Sequence, residues 1–207
     1  MKALALVAVL IVALTPAFTF AQASSTRSIR DIDFRNFSYP ELPTGKCSMS
    51  RVRVRDGKYG SVKNFSPGRT PKGGCWAVDV APIVYGDVTG DGQEEAMVVL
   101  YAEVGGTESS NDVFIYAMKN GKLTLLWKFA TGDRADGGLR RIYAENGGLV
   151  VELAGKNKII GSDLYAPDGT LTGACCPTVF TRTKYKWVRG RFVRSGKPEV
   201  LPFTGWQ

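Results

Sequence analysis

The residues best spaced for chemistry are the oxygen-bearing side chains of Gly86-Asp87-Val88-Thr89-Gly90-Asp91-Gly92-Gln93-Glu94-Glu95. With Asp87 as position one, Asp87, Thr89, Asp91 and Glu95 fall at positions one, three, five and nine. Gly92 at position six permits a sharp turn, and Gln93 at position seven can offer its backbone carbonyl. A hard cation such as Ca²⁺ takes about six to eight oxygens in an adaptable shell, and a tight loop that turns every second side chain inward supplies them. The predicted ligand set is Asp87, Thr89, Asp91, Gln93 and Glu95, with Ca²⁺ as the candidate cofactor. An EF-hand would need a bidentate Glu at position twelve, and that position is Val98, inside an apolar run. The competing reading needs no ion. Asp87 and Asp91 can accept hydrogen bonds from nearby backbone N–H groups in Asx-turns and so hold a β-turn.

The loop resembles the Ca²⁺ loops of FG-GAP/VCBS repeats, found in integrin-like propellers and secreted bacterial proteins. Those loops read Asp-x-(Asp/Asn)-x-Asp-Gly-x-x-Asp and connect two β-strands. Here Thr89 replaces a charged or amide ligand, and Glu95 replaces the shorter terminal Asp. The stretches from Asp133 to Arg140 and from Cys175 to Thr178 are similar to uncharacterised secreted bacterial proteins carrying a single such loop. The resemblance implies a β-rich fold and an ion that fixes a strand connection. It implies no particular activity.

Other chemistry is sparse. The chain has no His, which excludes Ser-His-Asp and Cys-His nucleophile systems, an imidazole base and His-ligated zinc. Asp133 and Asp136, in a Gly-rich connection beside Arg134, Arg140 and Arg141, are the best carboxylate pair outside the loop. They would carry the alternative reading, a carboxylate- or metal-dependent hydrolase of envelope glycans or phosphoesters. The same residues also fit a solvated loop with an internal salt bridge.

Lys and Arg total 27 against 19 Asp and Glu, a formal charge of +8, and the excess is local. Arg182, Lys184, Lys186, Arg189, Arg191, Arg194 and Lys197 occur with no acid among them, interleaved with Tyr185, Trp187 and Phe192. Arg51, Arg53 and Arg55 alternate with Val52 and Val54, so they would share one face of a strand. If both segments share a face, that face fits an anionic envelope polymer or lipid head groups. A solvated face guarding an edge strand explains the same residues.

The elements that position these residues read as strands. Arg51 to Arg55 has period two, Ala96 to Tyr101 is a continuous apolar run suited to a strand buried on both faces, and Pro82 interrupts the extended Trp76–Tyr85 run. Turn pairs at Asp56-Gly57, Asn120-Gly121, Asn146-Gly147 and Arg189-Gly190 separate extended runs. No segment has a capped helical period. The expected fold is all-β, a single antiparallel domain of meander, sandwich or propeller-blade-like type over residues 32–207, after a flexible stretch at 24–31.

Residues 1–23 read as a signal peptide: Lys2, the apolar run from Ala3 to Leu14, Pro16, and the Ala21-Gln22-Ala23 cleavage site. Cleavage would leave no transmembrane segment. The expected location is secreted or periplasmic, where nucleic acid is not an expected partner. Cys47, Cys75, Cys175 and Cys176 suit an oxidising compartment and allow three complete pairings. Cys47 and Cys75 flank a predicted hairpin and are natural partners, but the two long-range pairings would stabilise more. Leu201-Pro202-Phe203-Thr204-Gly205 matches a sortase signal, but only Trp206 and Gln207 follow it, so the match reads as chance. The function expected is a non-enzymatic binding or structural module, with the hydrolase as its alternative.

Overall fold

The computed structural model describes residues 27–43, 49–60, 75–105, 108–132, 137–155 and 177–205. Thirteen strands follow in chain order: β1 (Ser38–Pro40), β2 (Arg51–Arg53), β3 (Lys58–Gly60), β4 (Ala77–Val80), β5 (Val84–Gly86), β6 (Glu95–Gly105), β7 (Glu108–Lys119), β8 (Lys122–Thr131), β9 (Leu139–Glu145), β10 (Gly148–Ala154), β11 (Val179–Val188), β12 (Arg191–Arg194) and β13 (Glu199–Pro202). Every pairing is antiparallel, and no α-helix occurs among the described residues. The all-β expectation holds.

Two meander sheets form the body. The first runs β3-β4-β6-β7-β8, with β5 also on β6, and the second runs β12-β11-β10-β9, with β13 also on β11. They pack face to face. Met97, Val99, Val113, Ile115 and Phe129 of the first sheet meet Ile142, Leu149, Val151 and Leu153 of the second. The opposite face of the first sheet presents Val98, Leu100, Phe114 and Tyr116 to a third, N-terminal layer carrying Ile29, Phe34, Tyr39, Val52 and Val54.

This layering explains the apolar run at 96–100. Successive strand residues point to opposite faces, and both faces of β6 are covered, so Ala96, Met97, Val98, Val99 and Leu100 are all buried. Each large side chain so buried contributes about 1.5–3 kcal/mol. Tyr101, next in line, is exposed. On β2 only one face is covered, so Val52 is buried between exposed Arg51 and Arg53.

The turn pairs behave as their chemistry requires. Asp56-Gly57, Asn120-Gly121, Asn146-Gly147 and Arg189-Gly190 all have positive φ at both residues, the two-residue turn whose twist matches paired strands. Pro82 separates β4 from β5, both of which pair with β6. It has no N–H to donate, so pairing with β6 lapses between Ala81, whose N–H reaches the Val99 carbonyl, and Val84 opposite Met97.

The N-terminal stretch expected to be flexible is partly structured. Ser28 caps a 3-10 turn at Ile29–Asp31 through a reciprocal capping box, and Ile29 is buried in the core. A single polar-looking segment conceals one apolar anchor, and tertiary burial of that anchor decides its state. Cys75 is buried and disulfide-bonded. Cys47, Cys175, Cys176 and residues 1–23 lie outside the described residues.

Candidate functional site: an acidic loop between three layers

The acidic loop is the connection from β5 to β6, with Gly86 and Glu95 paired across its neck. Its carboxylates accept hydrogen bonds from the loop itself. Asp87 Oδ1 accepts from Gly90 N–H at 2.6 Å and Oδ2 from Gly92 N–H at 3.0 Å. Asp91 Oδ1 accepts from Gln93 N–H at 2.9 Å. Glu95 is 1% exposed and turns under the loop, where Oε2 accepts from Val88 N–H at 2.9 Å and Thr89 N–H at 3.2 Å, and Oε1 from the Thr89 hydroxyl at 3.3 Å.

In this conformation the carboxylates of Asp87, Asp91 and Glu95 accept from backbone amides, and the Thr89 hydroxyl donates to Glu95. Among the described residues, no three or more acidic, His or Cys side chains converge to hold a metal ion. Gly90 and Gly92 have φ of +77° and +83°, the left-handed region that glycine enters without strain, and this lets their N–H groups point at Asp87. Glu95 is held well above the ordinary carboxylate range, to about 7. Burial dominates, amide hydrogen bonds from Val88 and Thr89 oppose it, and the nearby Asp91 and Asp87 charges add to it.

The loop touches all three layers. Val88 is fully buried between the two sheets. Glu94 forms a two-point ion pair with Arg30 of the N-terminal layer, at 2.6 and 2.7 Å, and Arg30 lies over the Tyr85 ring. On the other side, Gly90 meets Gly147 in the β9–β10 turn, and Gly86 packs on Ala144 of β9. Arg30, Glu94 and Gly147 were not candidates from sequence. Gly147 carried a signal for its turn, but nothing in the sequence revealed which loop that turn would meet.

A second polar cluster also lies beyond the sequence reading. The carboxylate of Glu152 is fully buried on β10, between Arg140 and Arg182, whose Nε donates at 2.8 Å. Arg140 reaches onward to the Gly205 carbonyl at 2.8 Å and the Thr204 hydroxyl at 3.2 Å, and lies over Phe180. The sortase-like pentapeptide is therefore built into the fold: Leu201 and Pro202 pair with β11, and Thr204 and Gly205 rest on Arg140.

The two basic segments do not form one patch. Arg51 and Arg53 belong to the N-terminal layer on one side of the first sheet, and β11 and β12 belong to the second sheet on its other side. Neighbouring strands also supply acids to the basic hairpin. Lys184 pairs with Glu145 at 2.5 Å, and Arg182 pairs with Glu152 and Glu199. Asp133 and Asp136 lie outside the described residues. No helix among the described residues is long and apolar enough to cross a membrane. No family model, curated protein or solved structure matches the chain.

Proposed function

We propose that the chain is a non-catalytic binding or structural module acting outside the cytoplasm, with the acidic loop as the joint of its three layers. The observation carrying this reading is that one loop, continuous with β5 and β6 of the first sheet, contacts Arg30 of the N-terminal layer and Gly147 of the second sheet. The buried, disulfide-bonded Cys75 and the leader-like N-terminus support an oxidising compartment, secreted or periplasmic.

Ca²⁺ enters as a stabiliser of the joint. Asp87, Thr89, Asp91, the Gln93 carbonyl and Glu95 would hold it, and their carboxylates would exchange amide partners for the ion. Thermal melts test both statements. Asp87→Ala removes the acceptors of Gly90 and Gly92 and should cost about 1–2 kcal/mol in chelator. Calcium should raise the Tm of the wild type and not that of Asp91→Ala. An unchanged Asp87→Ala melt removes the joint, and an unchanged calcium melt removes the ion.

A further inference from the structure

We infer that the outer face of the β11–β12 hairpin docks on an anionic phospholipid surface. The inference rests on the binding-module reading and names its partner. Directly opposed residues in an antiparallel pair share a face, so Lys186 with Val193 and Val188 with Arg191 form one four-residue patch. The opposite face of the hairpin is anchored. Tyr185 and Phe192 pack on Trp127 of β8 with ring centroids 5.4 and 5.3 Å apart, and Trp187 meets Phe192 edge-on. That anchoring presents the patch to solvent as a fixed surface.

Charge and apolarity together select the partner. Acids from β9, β10 and β13 take Lys184 and Arg182, but Lys186, Arg189, Arg191, Arg194 and Lys197 have no ion pair among the described residues. An edge strand guarded only by charge needs no apolar side chains beside its cations. Here Val188 and Val193 are 44% and 39% exposed, diagonal to one another between Lys186 and Arg191. A lipid interface accommodates both chemistries: cations meet phosphate head groups, and the valine methyls leave water for the region beneath. A soluble polyanion would use the cations and leave the valines in water.

Sedimentation with vesicles tests this, using phosphatidylcholine alone and phosphatidylcholine mixed with phosphatidylglycerol. The mature chain should bind only the mixed vesicles, more weakly as salt rises. Each cation is worth about fivefold in binding, so the Lys186→Gln/Arg191→Gln double variant should lose roughly 25-fold. The Val188→Ser/Val193→Ser variant should also bind severalfold more weakly. Equal binding to both vesicles, or no binding to either, overturns the inference. Undiminished binding by the charge variant also overturns it, while leaving the module reading intact because another face then binds. Full competition by soluble polyphosphate, with no effect of the valine changes, reassigns the hairpin to a soluble polyanion and overturns it as well.

Discussion

Gly90 and Gly147 meet backbone to backbone. A Cβ on Gly90 would lie 3.1 Å from the Gly147 carbonyl oxygen, and a Cβ on Gly147 would lie 3.1 Å from the Gly90 Cα. Two hairpin connections from different sheets therefore touch at the one place where neither carries a side chain. Neighbouring contacts extend the seam, because a Cβ on Gly86 would lie 2.6 Å from the Ala144 Cβ.

The contact can be separated from backbone strain. Gly147 and Gly121 occupy equivalent positions in Asn-Gly turns, with φ of +68° and +71°. A Cβ at Gly121 would meet nothing within 4 Å. Gly121→Ala should therefore report the left-handed strain alone, about 1 kcal/mol, and Gly147→Ala should cost roughly 1–2 kcal/mol more. Urea unfolding of the two variants gives the difference directly. Equal losses would mean that the seam yields at no cost.

Stability should depend on pH through Glu95. Its folded-state value of about 7 stands above the ordinary 4.5, so the native state holds a proton that the unfolded chain has released. The contribution is fully present below about pH 4.5 and is lost as pH rises to about 7, a fall of up to about 3 kcal/mol across that window. Asp87 and Asp91 face the same carboxylate and oppose its ionisation. In chelator, unfolding free energies at a series of pH values should decline through the window for the wild type. They should run flatter for Glu95→Gln, and parallel curves would show that Glu95 is not the group responsible.

Glu152 and Glu145 offer a matched pair of ion-pair deletions. Glu152 is fully buried, and its loss leaves the nearly buried Arg140 guanidinium without its countercharge, at a cost of about 3–5 kcal/mol for Glu152→Gln. Glu145 pairs with Lys184 at the surface, where Glu145→Gln should change stability by less than about 1 kcal/mol. Arg140→Ala should also speed hydrogen exchange at the Phe203 amide, which donates to the Thr178 carbonyl at 3.0 Å, because Arg140 holds the adjoining Thr204 and Gly205. Unchanged exchange there would show that β13 pairing alone secures the tail.

Local patterns made much of the fold legible. Asn120-Gly121 and Asn146-Gly147 specify their turns because their two residues must both adopt positive φ, and that demand is written in residue type. Val52 and Val54 declare a buried face by period, and the unbroken run from Ala96 to Tyr101 declares burial on both faces, which holds through Leu100 and fails at exposed Tyr101. The acidic loop was legible as a turn for the same reason: Asp87, Gly90 and Gly92 act within a few residues of one another.

What residue order alone could not convey was which surfaces meet. Arg30 finds Glu94 only after the N-terminal layer packs on the first sheet, Gly90 finds Gly147 only after the two sheets stack, and the Arg51–Arg55 strand is parted from the C-terminal cations by a sheet of buried side chains. Turn and period signals are short-range, set by φ preference and side-chain alternation. Pairing of charges and glycines across layers depends on how two faces are brought together, and that was decided by the packing of Met97, Val99, Ile142 and Val151 between the sheets and of Ile29, Phe34 and Tyr116 beneath the N-terminal layer.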